Sequence, residues 1–269
     1  MTIEAIVVAD SESEHWDRIT TLQLTYPRFI HSEFMTHRVF SRSASSSRAI
    51  PVRKMLSHVW NNPATPVSWG RNIPGMQART ELEGVKLTIA KRLWKWSGRA
   101  MCAAVWIMDR IGLHKQVANR LLEPWQHIHV VVTSTEWQNF FALRCHPDAQ
   151  PEFQELACKI REAMAASKPV KRAAGEWHLP YVSTFERETL STKFAIQVSA
   201  TRCCRVSYLN HGGDVSKIGE DFRLYDRLIK ADPPHMSPVE HQARAAERRT
   251  RYANFMGWRS HRWDLENPE

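Results

Sequence analysis

The sequence predicts an α+β fold. Two alternating apolar stretches open the chain, a long helical apolar repeat follows, and a third strand stands among helices without the regular alternation of a parallel β-α-β array. The 269 residues are 43% hydrophobic and 24% charged, an ordinary globular composition that excludes disorder as the main state. No repeat or low-complexity tract interrupts it, so residues 1–269 are expected to form one domain.

Ile3 to Val8 and Ile19 to Tyr26 alternate as strands, and the polar SESEHWD segment between them is expected to turn the hairpin. After Pro27, the residues Phe29, Ile30, Phe34, Met35 and Val39 recur at helical spacing. SRSASSSRAIP breaks that pattern, because serine hydroxyls compete for local backbone groups and Pro51 disfavours helix at Ile50. Residues 61–80, rich in Pro, Gly and Asn, read as a long ordered loop, and Glu81 to Ile111 as a helix ended by Gly112.

His114 to Leu122 reads as a short helix stopped before Pro124. Ile128, Val130 and Val132 then alternate as a strand, and Ser134 or Thr135 caps the helix TEWQNFFALR. Asp148, Pro151 and the face Phe153, Leu156, Ile160 and Met164 give a helix with a cap, an early proline and an apolar stripe. Residues 168–193 read as a polar connection. Helices over Ser199 to Leu209 and Ile218 to Ala231 follow, then the turn DPPHMSPVEH and a basic tail to Trp263.

No apolar run reaches the roughly 18 residues that a membrane helix needs, and the start MTIEAIVVADSESEHWD lacks the basic region of a secretory signal, so a soluble cytoplasmic protein is expected. Five scattered cysteines without a CxxC pair read as reduced thiols, neither a disulfide framework nor a zinc ribbon. The 37 Lys and Arg against 28 Asp and Glu leave +9, a balance that suits nucleic acid, nucleotides or a phosphate-rich cofactor.

Four stretches could carry chemistry. In THRVFSRSASSSRAIP (36–51), Arg38, Arg42 and Arg48 flank five serines, the outline of a phosphate cradle of hydroxyls, backbone N–H groups and guanidinium donors; the same composition suits a solvated loop. GLHKQVANRLLEP places Arg120 near a helix end, where it could polarise a carbonyl or simply answer the helix dipole. TEWQNFFALRCHPDAQPE puts Asn139 and Arg144 on roughly one helical side. HMSPVEH crowds His235, Ser237, Glu240 and His241 round Pro238, but it lacks the helical histidine pair of HExxH, so no metal is expected.

Together these stretches resemble the flavin-dependent thymidylate synthases. The family signature RHRxxSxNExSxR has its counterpart in Thr36-His37-Arg38, then Ser41, Ser43, Ala44, Ser46 and Arg48, agreeing at His37, Arg38, Ser41, Ser46 and Arg48. Arg120 with Pro124, and Asn139 to Arg144 through Ala149-Gln150, are similar to the two helices that follow the signature in the family. The family's ARVSY-like helix and HxSPxEH turn normally precede the signature, whereas CCRVSYL (203–209) and HMSPVEH (235–241) come last here. The resemblance therefore implies a circular permutation, leaving residues 52–112, 168–193 and the tail without a clear counterpart.

What the resemblance implies is a sheet with long flanking helices in a homotetramer. FAD bridges subunits, dUMP stacks on the flavin, methylenetetrahydrofolate supplies carbon, reduced flavin supplies hydride, and NADPH recharges it. It implies that Ser46 and Arg48 bind the nucleotide, Arg120 contacts the pyrimidine and Arg144 completes the anion site. His37, Arg38, Ser41 and Asn139 would contact FAD, with His235 near flavin or folate. Ser46 and Arg120 would form the catalytic pair, Arg120 stabilising charge that develops on the pyrimidine.

Thr36, Ser43-Ala44 and Glu33 depart from the family's Arg, Asn-Glu and Gln. Glu33, an acceptor-only carboxylate, suits the amino group of cytosine better than a uracil carbonyl, which opens dCMP as substrate and a 5-hydroxymethyl product. A basic nucleic-acid-binding protein is the rival of another class, drawing on Arg244, Arg248, Arg249, Arg251, Arg259 and Arg262, though no nucleic-acid-binding motif accompanies the charge.

Overall fold

In the computed structural model, residues 3–15, 17–208 and 218–268 are described. The chain runs β1 (Glu4–Ser13), β2 (Arg18–Pro27), α1 (His31–Phe34), β3 (Ser41–Ala44), α2 (Val52–Asn61), α3 (Gly84–Arg110), α4 (Lys115–Ala118), β4 (His127–Ser134), α5 (Gln138–Arg144) and α6 (Pro151–Ala166). It continues through β5 (Val170–Arg172), β6 (Trp177–His178), α7 (Thr184–Thr189), α8 (Thr192–Cys204), α9 (Ile218–Ile229), β7 (Ala243–Ala245), β8 (Arg251–Tyr252), β9 (Phe255–Met256), β10 (Trp258–Ser260) and α10 (His261–Glu266).

The central sheet has the order β3-β4-β2-β1-β5, antiparallel except where β5 joins β1. The N-terminal hairpin forms as expected, but β1 runs on to Ser13 through residues expected to turn. Polar side chains near its end find partners: Asp10 accepts from Arg18 and Thr20, and Ser11 meets His178. Buried polar groups with such partners cost little to keep in a strand.

The two faces of the sheet differ in chemistry because side chains alternate along a strand. On one, Leu22, Leu24, Tyr26, Ile128, Val130 and Val132 pack with Phe140 of α5 and Phe153, Leu156 and Ile160 of α6, with Phe34 and Phe40 filling the space between. At about 1.5–3 kcal/mol for each fully buried large apolar side chain, this cluster is the main stabilising core. The other face presents Thr21, Gln23, Ser43, Val131 and Thr133 to α8 and the C-terminal strands.

Several elements differ from the sequence reading. The predicted polar connection 168–193 contains β5, β6 and α7, the last opened by a Ser183/Glu186 capping box. The helix predicted from Ser199 begins at Thr192; it is buried on nearly all sides, so no amphipathic period marks its start. Leu209, the predicted end, lies outside the described residues. Before β4, a 3₁₀ turn over Asn119–Trp125 continues through Pro124 rather than stopping before it.

The predicted long helix is present as α3, and Gly112 just beyond it takes φ 87°. It packs on α2 and the 3₁₀ turn through Met55, Val59, Cys102, Val105 and Leu122. Gly98 permits that approach, since a Cβ there would meet the Trp125 ring at 3.0 Å. The opposite side of α3 exposes Val85, Ile89, Leu93, Trp96, Ile107 and Ile111 at helical spacing.

The basic tail is folded. Five of its six arginines are engaged in internal ion pairs: Arg244 and Arg259 with Asp264, Arg249 with Asp17, Arg251 with Glu136, and Arg262 with Glu240 and Glu266. Among the described residues, no helix is long and apolar enough to cross a membrane.

Candidate functional site

The helical spacing over 29–39 yields only a 3₁₀ turn at Arg28–Ile30 and the single turn of α1. Arg42, reaching back from β3, ends it by donating to the carbonyls of Phe34, Met35 and His37 at 3.2, 3.1 and 3.0 Å. A cation at a helix C-terminus answers both the orphan carbonyls and the dipole. The chain then extends as a strand, which corrects the phosphate cradle: alternation turns Ser41 and Ser43 to the buried polar face, away from Arg42. Ser41 accepts from Asn254 at 3.3 Å and Ser43 pairs with His241.

Only the following turn remains as a loop. Ser46 Oγ accepts from the Arg48 N–H at 3.3 Å, and the Arg48 side chain is exposed, as is Arg38. Asn119, fully buried, ties the turn down by donating to the carbonyls of Ser47 and Ile50 at 2.8 and 2.9 Å. Glu123 gathers three donors on one oxygen: Arg120 at 2.8 Å, Arg28 at 3.0 Å and Ser47 at 3.1 Å.

A second cluster forms at the end of α5. Arg144 donates through Nε to His37 Nε2 at 3.1 Å and through a terminal nitrogen to Glu33 at 3.3 Å, with its guanidinium 4.4 Å from the centre of the Phe153 ring. Burial, then Arg144 and Arg42, lower the His37 pKa to about 4, which leaves Nε2 free to accept. Asn139 lies five residues before Arg144, well round the helix rather than on the same side, and is exposed.

The two clusters are electrostatically continuous. Between them, His31 is lowered to about 4 by burial and by both Arg28 and Arg42, and accepts or donates at Nδ1 to the Tyr26 hydroxyl at 2.9 Å. Arg120, Arg28, Arg42 and Arg144 thus make one cationic strip along this part of the sheet. Arg120 with Ser46 and Arg48 lies towards one end and Arg144 with Glu33 and His37 towards the other.

HMSPVEH does not act as a unit. His235 is exposed, whereas His241 is fully buried between Thr133 and Ser43, and Glu240 pairs with Arg262. A cavity of about 350 Å³ beside the serine–arginine turn is lined by Ile50, Met55, His58, Trp125, His127 and His129. A smaller one of about 230 Å³ lies against Ser41, walled by Glu240, Asn254, Ser260, Arg262 and Trp263. Sequence reasoning missed Arg28 and Glu123, whose link joins distant parts of the chain and leaves no local signal; it singled out GLHKQVANRLLEP and HMSPVEH, but not Asn119 and His241 as buried anchors.

These features define an α+β protein whose arginine-lined sheet holds paired guanidinium groups where an anion can reach them. The chain belongs to the thymidylate synthase complementing protein family, which it matches over residues 11–170. That span includes 52–112, left without a counterpart by motif comparison, and ends before CCRVSYL and HMSPVEH. No curated protein matches the chain.

Among solved structures, the UMP/dUMP methylase PolB from Streptomyces cacaoi, bound with 5-Br UMP, is 15% identical with a TM-score of 0.50, covering 61% of this chain and 89% of that one. Thymidylate synthase X from Helicobacter pylori with FAD and dUMP is also 15% identical, with a TM-score of 0.39, covering 54% and 67%. At such identity the likeness is one of fold.

Proposed function

We propose that the protein is a flavin-dependent thymidylate synthase-like enzyme of the cytoplasm, which converts dUMP to dTMP with methylenetetrahydrofolate as carbon donor. The observation that carries this reading is the strip Arg120–Arg28–Arg42–Arg144, inside the span matched by the family, in which Glu123 pairs with Arg120 and Arg28 and Glu33 with Arg144. Such a strip suits a nucleotide phosphate and the negative charge that develops on a pyrimidine ring. The fold shared with a UMP/dUMP methylase supports a uracil nucleotide.

In this reading Ser46 and Arg48 bind the nucleotide, Arg120 faces the pyrimidine carbonyl, and Arg144 completes the anion site. FAD, when bound, supplies the hydride, and NADPH restores its reduced form. The exposed groups suit a dinucleotide cofactor: Arg38 is a cation beside His37, Asn139 adds a polar group, and His235 is available to flavin or folate, whereas Ser41 is buried and could meet the cofactor only through the cavity it lines. Arg120 must part from Glu123 to reach a base, a pairing that is half exposed and so cheap to exchange.

Two features support a homotetramer. The nucleotide groups lie towards opposite ends of the strip within one chain, so neighbouring chains would complete one another's sites. The apolar side of α3 also offers a face for a second copy. Flavin absorbance of the purified protein and the mass of the product from dUMP test the reading; a protein that takes up no FAD and leaves dUMP unchanged ends it.

A second reading, C5 hydroxymethylation of dCMP or dUMP, draws on Glu33, a 38%-exposed carboxylate beside Arg144 that can accept from an exocyclic amine. Product mass from dCMP separates the two.

A further inference from the structure

Six side chains on the polar face of the sheet form an unbroken hydrogen-bonded line. Ser11 Oγ lies 2.9 Å from His178 Nδ1, and His178 Nε2 lies 2.8 Å from Thr21 Oγ1. Thr21 Oγ1 is 2.7 Å from Thr133 Oγ1, which is 2.9 Å from His241 Nδ1; His241 Nε2 then meets Ser43 Oγ at 3.0 Å. The line crosses β1, β2, β4 and β3, and no member is more than 7% exposed. Thr21 and Thr133 are direct cross-strand partners, while the imidazoles fill the diagonal gaps to Ser11 and Ser43.

Both imidazoles are neutral. Burial, then Arg187 and Arg172, hold His178 well below the ordinary histidine range, and burial lowers His241 to about 3. A neutral imidazole brings one N–H and one acceptor nitrogen, and a hydroxyl brings one proton. Six groups therefore share six protons among five hydrogen bonds. Only two arrangements fill every bond without stranding a proton in the middle of the line. With Nε2–H on both histidines all bonds point towards Ser43, whose own proton is free; with Nδ1–H on both they point towards Ser11. Passing from one to the other carries one proton from end to end.

Each end lies two residues from a cavity along its own strand. Ser41 lines the 230 Å³ cavity with Glu240 and Arg262, and Ser13 lines one of about 360 Å³ with Glu12, Glu14, Lys171 and Arg172.

We infer that the line Ser11–His178–Thr21–Thr133–His241–Ser43 is a proton relay joining the strand of the serine–arginine segment to the far side of the sheet. Its use rests on the proposed reaction, in which replacing the C5 hydrogen of the pyrimidine by carbon releases one proton. That proton reaches Ser43 Oγ by way of the 230 Å³ cavity that Ser41 lines on the same face of β3, and Ser43 passes its own to His241 Nε2. Each member then hands its proton on, and Ser11 releases one towards the cavity that Ser13 lines on the same face of β1, and so to water. No electrons move, and the histidines change from Nδ1–H to Nε2–H.

The full chain labelled with ¹⁵N-histidine tests this, because ring-nitrogen shifts report the tautomer directly. In the wild type His178 and His241 are expected to share one tautomer. Thr21→Val cuts the line with a side chain of similar volume and touches His241 nowhere. A buried N–H or O–H aimed at a methyl group is left without an acceptor, so the protons point outward from the cut. His178 should become Nδ1–H and His241 Nε2–H, and Thr133→Val should do the same should Thr21→Val fail to fold. Opposite tautomers in the wild type, or identical ones in a folded variant, overturn the relay.

This readout needs no substrate, so it stands apart from the proposed reaction, which fails separately if neither dUMP nor dCMP is consumed. Where turnover is present, Thr21→Val is expected to lower kcat by about tenfold or more while KM stays within about twofold. An unchanged kcat removes the relay from the reaction.

Discussion

Arg144 stands between His37 and Glu33, donating to the imidazole at 3.1 Å and to the carboxylate at 3.3 Å. The guanidinium disfavours a proton on His37, yet burial is the larger cause of its low pKa. Arg144→Gln is therefore expected to raise the His37 pKa from about 4 without restoring the ordinary 6.5. NMR titration of the ring decides; an unmoved His37 would show that the contact carries no electrostatic weight.

Acid should destabilise the fold. His31, His37, His127 and His261 are held near about 4, and His241 near about 3, against 6.5 for a free histidine, burial being the largest cause each time. Between those values the unfolded chain binds more protons than the folded one, so stability is full above about 6.5 and falls as pH drops towards about 4. Thermal melts from pH 7.5 to 4.5 are expected to give a steadily decreasing Tm, and His37→Gln should make the decline shallower.

Arg120 is expected to matter for turnover more than for folding, because its side chain is 52% exposed and it is paired, among the described residues, with Glu123 alone. Losing one donor to developing charge costs about 2.7–4 kcal/mol, so Arg120→Ala should lower kcat about a hundredfold or more with an unchanged Tm. Steady-state kinetics with dUMP would remove it from the mechanism if kcat survives.

Asn119→Ala has the opposite profile. The substitution strips the buried carbonyls of Ser47 and Ile50 of their side-chain donor, at a cost of about 1–3 kcal/mol. Denaturant unfolding should show that loss, and the loosened Ser46–Arg48 turn should raise KM for the nucleotide. A stable variant with wild-type KM would mean that the turn holds its shape unaided.

Leu93 and Trp96 are 59% and 68% exposed on one side of α3. Introducing Leu93→Glu with Trp96→Glu places charge on that side without touching the packed one. Sedimentation should shift from a tetramer to smaller species, and an unaltered mass would exclude α3 from the assembly.

The fold was legible where periodicity and burial agree. The N-terminal hairpin, α3, β4 and α6 all bury one face, so their apolar spacing announces them. Polarity misled in β1, where Ser11 lies in a strand because His178, far along the chain, satisfies it and Asp10 because Arg18 and Thr20 of the neighbouring strand do, and in β6, where His178 is core. In the site, Arg144 and Arg120 were visible as helix-end arginines. The role of Arg28 was not, because its link to Glu123 spans ninety-five positions of sequence. The serine run misled for a simpler reason: its first members are a strand, and alternation scatters what composition gathers.

The folded tail has a consequence at long range. With five of its arginines paired in place, the excess charge is carried elsewhere: residues 38–120 hold 15 Lys or Arg against 3 Asp or Glu, a net +12, leaving −3 for all other residues out of the total of +9. Most of those cations are exposed. This local excess draws an approaching anion towards the serine–arginine segment before any contact is made, an attraction that salt weakens over about 10 Å at 0.1 M.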